Sequence, residues 1–202
     1  MLSRRFILRA ACVAGFVAPL RAFAADEPPV AIVQSFYDAL LQAMKGGKKL
    51  GFAGRRDLLT PAVHQAFDLP LMTRITVGAA WNTISGDDQK RLIDAFSAYS
   101  VASYANHFDD YSGEKFVVDP KTVASGGDVI VQSKLVPTDD KPVDLNYLMR
   151  RGGDTWRIID VFLSGTISEL ASRRSEFSAT LRSGGAPALI KSLQQKTAEL
   201  AN

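Results

Sequence analysis

After Gly113 the spacing of apolar residues in this chain changes from about 3.6 to about 2, and after Gly165 it changes back. A chain that switches period twice folds as helices, then a sheet, then helices. The middle stretch divides at its turn residues. Lys115 to Asp119 is a short strand, Gly126-Gly127 turns into Asp128 to Val136, and Asp139 to Pro142 turns into Val143 to Arg151. Gly152-Gly153-Asp154 then turns into Thr155 to Leu163. Val129, Val131, Ser133 and Leu135 share one face of their strand, and Val143, Leu145, Tyr147 and Met149 share one face of theirs. Short connections between successive strands make an antiparallel meander of four strands.

The flanking stretches carry helix signals. Ile32, Val33, Phe36, Tyr37, Leu40, Leu41 and Met44 recur at steps of three and four, and Gly46-Gly47 ends that helix. A second segment runs from Arg55 to Phe67, with Thr60-Pro61 in the pattern of a cap followed by a first-turn proline. Leu69 to Trp81 is a third, very apolar segment. Ser85 caps a long helix from Asp87 to about Phe108, with two acids in its first turn. Thr166-Ile167-Ser168-Glu169 fits a capping box that opens a helix from Ser168 to Arg182. Gly184-Gly185 breaks the chain, and Pro187 starts a last helix. The class is α+β, a single domain with several helices on one face of a curved four-stranded antiparallel sheet. The sheet and helices enclose a cone that apolar side chains either fill or line.

The start of the chain reads as an export leader. Arg4, Arg5 and Arg9 precede an apolar stretch from Ala10 to Leu20, and Ala22-Phe23-Ala24 supplies small residues at alternate positions. That predicts a signal peptide over residues 1–24, by the general or the twin-arginine route, and a domain over residues 25–202. Cys12 lies within the leader with Arg9 three places before it, so acylation is not expected. The leader holds four of the 24 Lys and Arg residues and no acid, which leaves 20 bases against 21 acids. The pI of about 9.0 therefore comes largely from the leader, and the domain loses the basic character that would suggest nucleic acid.

No residue pattern announces chemistry. His64 and His107 are the only histidines and read as surface or capping residues, which gives no metal site. Asp87-Asp88, Asp109-Asp110 and Asp139-Asp140 sit at helix ends and turns, where carboxylates are solvated. The paired glycines belong to turns, not to a phosphate-binding loop, and no cofactor motif is present. Asp160, on an apolar strand, reads as a buried structural acid paired with Arg157, Arg173 or a backbone amide. Trp81 and Trp156 read as core.

Two blocks carry a family likeness. One is Trp156, Asp160-Val161, Gly165, Ser168, Arg173-Arg174 and Phe177, then Leu189 and Leu193; the other is Phe67-Asp68, Met72, Gly78, Trp81, Gln89 and Phe96. Their order and spacing over the chain from about Val30 onward resemble the periplasmic lipid-binding proteins of the toluene-tolerance, or Mla, transport family (MlaC-like). The run Ser164 to Leu170, followed by Arg173 to Phe177, looks most like the branch associated with hopanoid biosynthesis.

The resemblance implies a cone of the nuclear-transport-factor-like or cystatin-like kind. It also implies a monomeric periplasmic carrier that shuttles phospholipid or hopanoid between a membrane-embedded transporter and an outer-membrane acceptor. Such a carrier is no enzyme and needs no cofactor or nucleic acid. The apolar excess predicts an elongated lipid-tail cavity walled by Leu71, Ile75, Trp81, Phe96, Tyr99, Val129, Val131, Leu145, Tyr147 and Met149. Head groups are expected at its mouth, with Arg74, Arg150 and Arg173 at the rim or on the solvated side. Two other readings stand beside this one. In the first, Asp160 with Tyr147 or Tyr99 serves as an acid/base pair of an enzyme acting on an apolar substrate. In the second, the cone is filled and the protein is an adaptor of a membrane complex.

Overall fold

The computed structural model describes residues 28–201, so the expected leader lies outside the described residues. Two bent helices frame the chain. α1 spans Pro29–Ala66 and is interrupted where Gly47 (φ 41°) and Gly51 (φ 62°) leave helical geometry. α2 is Leu69–Val77, and a 3-10 turn over Gly78–Thr83 leads to α3, Gly86–His107. Strands β1 (Lys115–Ser125), β2 (Asp128–Val136), β3 (Val143–Gly152), β4 (Thr155–Leu163) and β5 (Ile167–Ser168) follow, and α4 is Glu169–Glu199. α4 bends at Gly185 (φ 64°), two residues before Pro187.

The strands lie in sequence order, and every neighbouring pair is antiparallel. Val131 and Tyr147 face each other, as do Tyr147 and Val161, and all three are buried. With Leu145, Met149 and Ile158 they meet Ile32, Phe36, Leu40 and Leu59 of α1 and Leu92, Phe96 and Val101 of α3 in one core.

Four details differ from the sequence reading. β1 continues past Asp119 to Ser125, with its register shifting between Val118 and Thr122. Pro120 lies in that shift, and proline is tolerated there because β1 is an edge strand with an irregularity. The sheet has a fifth, two-residue strand, because Ile167 and Ser168 pair with Leu163 and Phe162. The cap of α4 is Ser168, not Thr166: its hydroxyl accepts from the Ala171 amide at 3.0 Å. Thr60-Pro61 starts no helix either. Both sit inside α1, where the Thr60 hydroxyl donates to the Arg56 carbonyl at 2.8 Å.

Arg55 fixes the bend of α1. It is buried, and it donates from Nε to the Ala105 carbonyl at 2.8 Å and from Nη1 to the Gly47 carbonyl at 3.0 Å. The Gly47 carbonyl lies at the bend and the Ala105 carbonyl in the last turn of α3, where helical partners run out, and the guanidinium supplies donors for both. Arg157 does the same at the end of α1, donating to His64 and Gln65 carbonyls at 2.7 and 2.8 Å.

Candidate functional site

A chamber of about 290 Å³ lies between the sheet and the helices. α2 enters it because Asp68 caps the helix, accepting from the Leu71 amide at 3.0 Å, which directs Leu69 and Met72 inward. α3 supplies Ser100, Ser103, Tyr104 and His107, and Phe108 follows at its C-terminal cap, residues three and four apart on one side. Leu145 and Tyr147 of β3 stand opposite Leu163 and Val161 of β4, so alternate positions of two paired strands form the other wall. Val63 and Phe67 line it from the end of α1, and Glu169 and Arg173 come from the first turns of α4.

Most polar groups of this wall are already engaged. Ser100 and Ser103 donate to the Phe96 and Tyr99 carbonyls of their own helix, both at 2.8 Å. His107 Nδ1 lies 2.7 Å from the Ser103 carbonyl. Burial pushes the Tyr104 and Tyr147 phenols up, so both stay neutral. Arg173 pairs with Glu169 at 3.2 Å and stacks over the Tyr99 ring at 4.9 Å. The interior is therefore aromatic and aliphatic, and its one ion pair is partly solvated.

A second, more open groove of about 790 Å³ runs along the other side of Phe67 and Leu69. Its apolar lining is Pro70, Ile93, Ala98 and Val101 together with those two residues, and Arg56, His64, Asp94 and Arg157 are among its polar ones. Among the described residues no cluster of three His, Cys, Asp or Glu could hold a metal, and no helix is long and apolar enough to cross a membrane.

Residues 34–195 match the family model for the MlaC protein. The chain belongs to the MlaC family. This MlaC chain also shares its fold with the phospholipid-binding protein from Ralstonia solanacearum, whose structure was solved in complex with a phospholipid. The TM-score is 0.75 and the identity 22%, over 87% of this chain and 100% of that one. No curated protein matches.

Of the ten residues expected to wall a cavity, the MlaC chamber is lined by Leu145 and Tyr147. Phe96, Val131 and Met149 are buried in the core, and Phe96 packs edge-on against Phe177. Leu71, Ile75 and Trp81 are half-buried on α2 and the turn after it, and Val129 is half-buried opposite Met149. Tyr99 carries the Arg173 guanidinium. The part of the cone next to β1 is filled by rings: Tyr37 stacks on Phe116 at 4.1 Å, and Phe36 meets Tyr104 and Tyr147 edge-on. Of the expected rim arginines, Arg173 lines the chamber. Arg150 instead holds Asp128 through two hydrogen bonds of 2.9 and 2.7 Å, and Arg74 is exposed in the last turn of α2.

Asp160 is buried and structural in its contacts. It accepts from Ser168 Oγ at 2.5 Å, from the Leu170 amide at 3.1 Å and from the Val161 amide at 2.8 Å. Its partners are amides and a hydroxyl; no Arg157 or Arg173 bond to it is present among the described contacts, and it does not line the chamber.

Proposed function

We propose that this MlaC-family chain is a periplasmic lipid carrier that covers acyl tails in the chamber and shuttles phospholipid between a membrane-embedded transporter and an outer-membrane acceptor. The observation that carries the reading is the chamber itself. It is mostly apolar, it includes Phe67 and the Arg173–Glu169 pair, and its two serine hydroxyls and its ion pair already have partners. A wall of this kind solvates tails and does little chemistry. The phospholipid bound to the Ralstonia solanacearum protein of the same fold supports the same class of cargo.

The physics explains the need for such a protein. Each buried methylene is worth roughly 0.8 kcal/mol, so two tails of about 30 methylenes would lose on the order of 20 kcal/mol on entering water. A carrier has to match the bilayer without greatly exceeding it, or it would not release its cargo. Arg173 at the end of the chamber is placed to meet a head group, since Glu169 can exchange it for a lipid phosphate at the solvated edge. A fused-ring hopanoid is the alternative cargo; the Ser164 to Phe177 wording favours it.

Mass spectrometry of organic extracts of the purified mature protein tests this. Stoichiometric phospholipid or hopanoid is the expected result. Protein that is lipid-free after expression, and that takes up no lipid from vesicles, overturns it.

A further inference from the structure

The chamber is too small for the cargo. A methylene displaces about as much volume as a water molecule in the liquid, roughly 30 Å³, so 290 Å³ has room for about ten of them. That is less than one ordinary acyl tail. The groove on the far side of Phe67 and Leu69 offers about 790 Å³, and those two side chains line both spaces.

The two spaces share a wall at Phe67 and Leu69. Phe67 and Leu69 flank Asp68 in the short joint between α1 and α2. The joint is tied to the sheet by the Asp68 amide, which donates to the Ile158 carbonyl at 2.9 Å, so the backbone is fixed while both side chains line both spaces. Phe67 touches Phe36 edge-on at 5.0 Å and Tyr104 at 5.7 Å, contacts that a ring can trade for contacts with a methylene chain.

Resting on the lipid-carrier reading, we propose that chamber and groove are two halves of one tail site, with Phe67 and Leu69 a movable partition that a long acyl chain displaces. The first half of a tail lies against Leu145 and Tyr147. The remainder runs along Ile93, Ala98 and Val101. Tail length is then read by two compartments in series, and the groove, not the chamber, distinguishes long chains from short ones.

The test uses delipidated full-length mature protein and saturated fatty acids of eight to eighteen carbons. Ala98→Trp is exposed and lies in the groove, so it obstructs the groove without touching the core; Thr60→Trp obstructs it from the opposite side. In the unmodified protein each added methylene should tighten binding by roughly fourfold up to eighteen carbons. Both variants should follow that series to about ten carbons and then go flat, ending at least a hundredfold weaker at eighteen. Variants that track the unmodified protein to eighteen carbons overturn the proposal. So does an unmodified protein that itself goes flat near ten carbons, an outcome that leaves the carrier reading intact. Failure of the unmodified protein to bind any chain removes the carrier reading and this inference together.

Discussion

Asp160 shows what a single residue can and cannot announce. Its place on an apolar strand made it legible as a buried acid, because a carboxylate there must be satisfied. Its partners were not legible. They depend on the turn at Ser164 and Gly165 (φ 51° and 80°), which brings Ser168 and the Leu170 amide back onto β4. An asparagine at this position keeps Oδ1 for the Val161 and Leu170 amides, but puts an NH2 donor where Oδ2 accepted from the Ser168 hydroxyl. Asp160→Asn is expected to lower unfolding free energy by about 1–3 kcal/mol and to leave lipid content unchanged. Denaturant melts and lipid extraction on the same preparation check both halves, and loss of lipid with unaltered stability would point to a role in the chamber instead.

At the scale of elements, the period changes located the helices and the sheet, and turn glycines located most boundaries. The failures have local causes. The sequence reading ends the first strand at Asp119, yet an edge strand with a register shift carries Pro120 without losing its ladder. Thr60-Pro61 has the form of a helix start but lies within α1. The bend of that helix comes earlier, at Gly47 and Gly51, and is held from a distance by Arg55. A contact between Arg55 and Ala105 spans fifty residues and leaves no trace in spacing. Arg55→Ala removes donors from two carbonyls at once and is expected to cost about 2–3 kcal/mol. Proteolysis between Gly47 and Gly51 should speed up in that variant; unchanged cleavage and stability would mean that the glycines set the bend unaided.

Over the whole molecule, the existence of an apolar cone could be read from strand alternation, and the position of its empty part could not. Alternation tells which side chains point inward. It does not tell that Phe36, Tyr37, Phe116 and Tyr104 pack the cone near β1 and push the vacant space toward β4, α2 and the start of α4. The ring cluster has a pH signature. Burial pushes the Tyr37 phenol from 10.0 to about 12, and burial raises the Tyr104 and Tyr147 phenols as well. Raised folded values mean that stability is fully present below pH 10 and is lost as pH rises through about 12. Alkaline titration followed by tyrosinate absorbance should show Tyr37, Tyr104 and Tyr147 ionising only as the fold is lost. In lipid competition, shortening tails should weaken binding far more than changing head-group charge, because apolar area outweighs one solvated ion pair. A stronger response to head groups would show that Arg173 dominates recognition. The Asp160 bonds to Ser168 and Leu170 also act as a fulcrum for α4. Arg173 lies four residues beyond Glu169, a lever arm of about 6 Å, while Gly185 is about 24 Å out. A given angular swing of this part of the helix therefore displaces its Gly185 bend some four times more than the mouth, so the volume enclosed by the helices can change while the arginine facing a head group stays nearly still.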